Sequence, residues 1–112
     1  MLAFHNDPII KDRYVARVKA HAAADEITQG TYWERGHGCA IGCVIHGAEH
    51  IRYETELGIP RQIAYLQDRI FENLPLVEAK EFALAFLQAI PVGTDLSMVI
   101  PRFIVWLLVA DQ

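Results

Sequence analysis

Apolar residues recur three and four apart along most of the chain, and runs that alternate apolar with polar at period two are missing. The first periodic block is NDPIIKDRYVARVKAHAAADEITQG. Asp7 stands as an N-cap, Pro8 takes the first helical position and Gly30 closes the block, so one helix of about six turns is expected. Ile10, Tyr14, Val18 and Ala22 form its apolar stripe. The short connector TYWERGHG follows, with Tyr32 and Trp33 expected to plug the core.

CAIGCVIHGAEHIRYETELG reads as a helix in one or two pieces between Cys39 and Leu57. Gly42 and Gly47 weaken it, and Gly58 ends it. A break at Gly47 would leave Cys39 to His46 as one piece and Ala48 to Leu57 as the next. IPRQIAYLQDRIFENLP runs between Pro60 and Pro75, with Ile63, Leu66, Ile70 and Leu74 on one face. VEAKEFALAFLQAIP stops before Pro91. Its apolar positions Phe82, Leu84, Ala85, Phe86, Leu87 and Ile90 occupy more than one face, which predicts a central helix. In the last block, VGTDLSMVIPRFIVWLLVADQ, Thr94 or Asp95 serves as cap and Pro101 either kinks or opens a helix. The expected fold is all-α: a compact bundle of five to six helices with short loops, in one domain over residues 1–112.

Composition narrows the function classes. A hydrophobic fraction of 53% with 21% charged residues is that of a globular protein. A net charge of -4 removes the basic footprint that nucleic-acid binding requires, so no nucleic-acid partner is expected. The opening MLAFHNDPIIKDR lacks the pattern of a signal peptide, and a cytoplasmic location follows as the expectation. The most apolar stretch, Met98 to Ala110, is interrupted by Pro101 and Arg102 and is shorter than the roughly 20 residues of a membrane span. No membrane partner is expected.

Both cysteines and three of the five histidines fall in GHGCAIGCVIHGAEH, Gly36 to His50. Cys39, Cys43, His46 and His50 are spaced four, three and four, which puts them on one face of a helix. Thiolate and imidazole are zinc ligands, so this is a candidate metal set. A straight helix climbs roughly 16 Å from Cys39 to His50, so one ion reaches all four only through a fold-back at Gly47 or a second chain. His37 is a further neighbour.

The same residues support a redox reading. GHGC brings Cys39 to a helix N-terminus, where unpaired N–H groups favour a thiolate, and His37 or His46 could relay its proton. Gly38, Cys39, Cys43, His50, Gly58 and Ile59 resemble the active helix of the carboxymuconolactone decarboxylase and AhpD-like family of small all-α proteins. The likeness covers about 20 residues, and it implies a thiol-redox enzyme using Cys39, Cys43, His46 and His50. This chain departs from that pattern by placing three residues between the cysteines instead of two, and His50 seven positions after Cys43 instead of four. The remaining reading makes Cys39, Cys43 and His46 ordinary packing, with Gly42 admitting a neighbouring helix.

Glu34, Glu49, Glu54 and Glu56 offer carboxylates that read more simply as solvated charges. Asp25 and Glu26 sit at the disfavoured end of the first helix, which calls for a partner such as Arg35. The C-terminal run is apolar all round and calls for burial on most sides. Phe103, Trp106 and Leu107 are the candidate partner-binding residues, with a homodimer as the simplest assembly. No catalytic triad order, phosphate loop or dinucleotide fingerprint is present. The leading expectation is a small acidic protein that binds another protein, of the inhibitor, antitoxin or immunity type, with a possible zinc site. The thiol-redox enzyme is the alternative.

Overall fold

The computed structural model describes residues 1–110, and Asp111 and Gln112, which close the last sequence block, lie outside it. Among the described residues there are six α-helices and no strands: α1 Pro8–Ala23, α2 Ala40–Ile45, α3 Arg52–Leu57, α4 Arg61–Asn73, α5 Leu76–Ala89 and α6 Val99–Ala110. A short 3-10 turn, Ala3–Asn6, precedes them. The all-α expectation holds.

Local chemistry sets most boundaries as the sequence predicts. The Asp7 carboxylate accepts from the Ile9 N–H at 2.9 Å and Pro8 opens α1. α1 ends at Ala23, however, well before Gly30. Asp25 takes a left-handed conformation, φ 56°, and the chain leaves the helix so that Ile27 can bridge to Gly38, just before α2, as extended backbone. There the Thr28 N–H donates to the Gly38 carbonyl at 2.8 Å and the Gly38 N–H to the Glu26 carbonyl at 3.0 Å. β-Branched Ile27 and Thr28 suit that extended backbone better than a further helical turn.

The Cys39 to Leu57 segment is two helices. His46, in the left-handed region at φ 52° and ψ 48°, ends α2, and α3 starts only at Arg52. All six residues of α2 are buried, so the shortest apolar helix is the centre of the molecule. The expected central helix, α5, instead packs on α1 and α4 through Ala79, Ala83 and Leu87, leaving Phe82, Leu84 and Phe86 half-buried and Ala85 exposed. Its small residues at four-residue intervals make a narrow contact face. The inner face of α4 is Ile63, Ala64, Gln67 and Phe71, shifted by one residue from the expected stripe. Ile70 faces outward.

Gly42 admits backbone rather than a helix. A Cβ there would lie 1.4 Å from the Tyr32 carbonyl oxygen, and one at Gly38 would lie 1.8 Å from the same atom. The connector 31–33 is therefore pressed onto the start of α2. Asp25 pairs with Lys80 of α5 at 2.7 Å, not with Arg35.

The most exposed apolar helix is α6. Pro101 sits in its first turn, where no backbone donor is needed, and the helix runs on with no buried residue. Phe103, Trp106 and Leu107, the candidate partner-binding residues, are 46%, 61% and 47% exposed. Within one chain nothing described covers this helix beyond the partial packing of Ile100 against the core. No described helix is long and apolar enough to cross a membrane.

Candidate metal centre

Cys39 is the N-cap residue of α2, held there by its own N–H, which donates to the Thr31 carbonyl at 2.9 Å. Across from it runs α4, where Asp68 and Glu72 are four residues apart and so share one helix face. The Cys39 Sγ and one carboxylate oxygen each from Asp68 and Glu72 lie within 4.8 Å of one another. These three residues form part of the wall of a cavity of about 500 Å³, completed by Gly30, Thr31, Tyr32, Tyr65, Arg69 and Asn73. That volume is within the usual range for small-molecule pockets.

The carboxylates are held in place. Asp68 Oδ2 accepts from the Tyr32 hydroxyl at 2.8 Å and from His50 Nε2 at 3.2 Å. His50 is in turn sandwiched, stacked on Tyr65 at 4.0 Å between ring centres and meeting Tyr32 edge-on at 5.4 Å. Glu72 accepts from the Gly30 N–H at 3.1 and 3.3 Å. Partners of this kind orient a ligating oxygen and limit its motion.

Both cysteines are free and buried. Burial pushes the Cys39 thiol up to about 11, more than the Gly42 and Ile41 backbone N–H groups at the start of α2 can lower it, and the Asp68 and Glu72 charges add to the rise. Burial likewise raises Cys43 to about 12. Burial therefore outweighs what the N-terminus of α2 supplies, and the Cys39 thiol lies above rather than below its ordinary value. Cys43 Sγ points away from the cavity wall toward the Gly38 carbonyl at 3.4 Å.

Of the four residues grouped by sequence spacing, Cys39 reaches the cavity and His50 stands behind Asp68. The turn at His46 sends that side chain elsewhere, onto His21 at 2.9 Å and onto the Trp33 ring at 4.2 Å. Cys39, Cys43, His46 and His50 thus do not converge on one point. His37 lies beside Thr28, 3.4 Å from its hydroxyl. Glu54 is tied to Arg61 at 3.0 Å, and Glu56 to Arg52 and to the Tyr14 hydroxyl, so these two carboxylates are paired and half-buried rather than the solvated charges expected. Glu49 pairs with Arg52 at 3.4 Å.

Asp68 and Glu72 escape a reading centred on the cysteine cluster. Their spacing in LQDRIFEN is visible in the sequence, but its meaning depends on α4 lying across from Cys39. No family matches. Neither a protein-family model, nor a curated protein, nor a solved structure is similar to this chain, so the likeness to the AhpD-like family rests on the residues named above alone.

Proposed function

We propose that this protein is a metal-binding protein whose centre is Cys39, Asp68 and Glu72, taking one divalent cation of the zinc class. The observation that carries this reading is the meeting of one thiol and two carboxylates, from two helices, on the wall of a ligand-sized cavity. One sulfur and two oxygens are a donor set zinc accepts, and three protein ligands leave a fourth position open to the cavity. A cation there would supply Lewis-acid polarisation to a small polar ligand in the cavity. Tyr32 and His50 would keep Asp68 oriented toward it. Loading requires the proton to leave Cys39, so affinity rises with pH.

Titration with cobalt(II) as a spectroscopic stand-in for zinc tests the reading. The wild-type protein should show a thiolate-to-cobalt charge-transfer band that saturates at one equivalent and is displaced by zinc. Cys39→Ser should lose the band and Asp68→Asn should weaken binding, while Cys43→Ser should behave as wild type. A protein that shows no thiolate band, or loses it only with Cys43, sinks this centre.

A second reading rests on α6. A helix with Phe103, Trp106 and Leu107 all exposed offers an apolar surface of the kind that marks protein interfaces. We propose this surface for the protein partner, with a second copy of the chain as the first case to test. The inhibitor, antitoxin or immunity roles enter through the same face. Sedimentation equilibrium should give a dimer mass that Phe103→Ser with Trp106→Ser reduces to monomer. A monomeric wild type removes the homodimer.

A further inference from the structure

Away from the cavity, the end of α1 and the end of α2 bring two imidazoles together nitrogen to nitrogen, with 72° between their planes. His21 Nε2 and His46 Nε2 are 2.9 Å apart. His21 Nδ1 lies 2.9 Å from Glu26 Oε1, so the carboxylate claims the proton on that nitrogen and leaves the His21 Nε2 lone pair free. Trp33 stacks on His46 at 4.2 Å with 13° between planes, and meets His21 edge-on at 5.3 Å. One ring is thus oriented by a carboxylate and the other by an indole, with both Nε2 atoms aimed into the same gap.

His46 holds its place against backbone preference. It is a non-glycine residue at φ 52°, where glycine or asparagine would end α2 at lower cost. A helix stop alone gives no reason for an imidazole here.

We propose that His21 and His46 form a second cation site, holding one zinc-class divalent ion between their Nε2 atoms with Glu26 as the orienting carboxylate. With zinc–nitrogen bonds of about 2.0 to 2.1 Å at a tetrahedral angle, two imidazoles have ring centres roughly 5 Å apart and nitrogens a little over 3 Å apart. The ring centres here are already 5.0 Å apart, so the nitrogens need only swing apart by a few tenths of an ångström. His46 is exposed, which leaves the remaining coordination positions to water.

The charges around the pair set its strength. Arg17 and Arg52 face His46 and oppose a cation, while Glu26 and Glu56 favour it. Glu56 is already engaged by Arg52 and Tyr14, so Glu26 carries most of the compensation. Burial and the Arg17 charge lower the proton affinity of His46. A moderate site, weaker than a closed structural zinc centre, is the consequence.

The site shares no residue with the Cys39 centre, so the two are tested apart in a Cys39→Ser background. Zinc(II) is added to that protein while the ¹⁵N shifts of all five imidazoles are followed by NMR. The Nε2 signals of His21 and His46 should move together to metal-bound values at one equivalent, with His5, His37 and His50 unmoved. His46→Asn, which suits the left-handed position, should fold normally and lose at least about tenfold in zinc affinity, as should His21→Gln. Glu26→Gln should weaken binding by about tenfold, as loss of an orienting carboxylate does. If zinc leaves the His21 and His46 rings unchanged, or if His46→Asn binds as tightly as its parent, the pair holds only a shared proton and the proposal is wrong.

Discussion

Gly42→Ala sets helix propensity against packing at the centre of the molecule. Alanine in a helix is worth about 1 kcal/mol over glycine, so on an open helix this change stabilises. Here the new Cβ would lie 1.4 Å from the Tyr32 carbonyl oxygen and 2.5 Å from its carbon, both backbone atoms that cannot rotate away. Restoring ordinary van der Waals separation means a retreat of roughly 2 Å by the 31–33 connector.

That retreat has further costs. It strains the Cys39 N–H to Thr31 carbonyl bond of 2.9 Å and the Tyr32 hydroxyl to Asp68 bond of 2.8 Å. Overpacking costs about 1–3 kcal/mol and each lost hydrogen bond about 1 kcal/mol net. Against the propensity gain, a net loss of about 3 kcal/mol is expected, or a fall in Tm on the order of 10 °C for a chain of this size. Thermal unfolding followed by circular dichroism reads it directly. The matched control is Gly47→Ala, whose Cβ meets the Glu49 carboxylate at 2.6 Å and the Arg52 guanidinium at 2.8 Å, both far ends of flexible side chains. It should cost less than about 0.5 kcal/mol. A Gly42→Ala protein that melts at or above wild type would refute the placement of Tyr32 against α2, and with it the wall of the cavity.

Three further outcomes are expected. Tyr53→Phe removes the 2.7 Å bond from a fully buried hydroxyl to Gln67, whose Nε2 already lacks a partner among the described residues, and should cost about 1–3 kcal/mol in urea unfolding; adding Gln67→Leu should restore much of it, and a double variant no more stable than the single contradicts the pairing. Because Cys39 and Cys43 hold their protons up to about 11 and about 12 when folded but release them near 9.0 when unfolded, their contribution is fully present below pH 9 and is lost as pH rises through the folded values. Replacing both with alanine should therefore flatten the alkaline fall in stability measured by denaturant titration, and an unchanged slope argues against raised thiols. Lys80→Ala breaks the exposed pair with Asp25 and should leave the unfolding midpoint within error of wild type, since such pairs are screened by water; a clear loss would mean the pair locks α1 to α5.

Much of the fold was legible locally. The period of the apolar residues, Asp7 with Pro8, and the prolines at 60, 75 and 91 are short-range devices, acting through backbone donors and dihedral preferences within a few residues. They gave the class and nearly every helix. Cys39 at the head of a short helix was legible in the same way, from GHGC.

What tertiary structure alone decided is which residues meet. Helical spacing joined Cys39 to Cys43, His46 and His50, but a single left-handed residue at 46 turned the chain and split that set into two neighbourhoods. Asp68 and Glu72 joined Cys39 from about 30 positions away, through the packing of α4 on α2, a contact no local pattern encodes. The thiol's reluctance to ionise also came from outside its own helix, since burial and facing carboxylates outweigh a dipole that acts over one turn. For α6 the sequence stated the demand, an apolar surface to be covered, and one folded chain does not meet it. Local sequence sets what each segment is, because backbone preferences act over a few residues. Which side chains share a site depends on burial and charge summed over the whole fold.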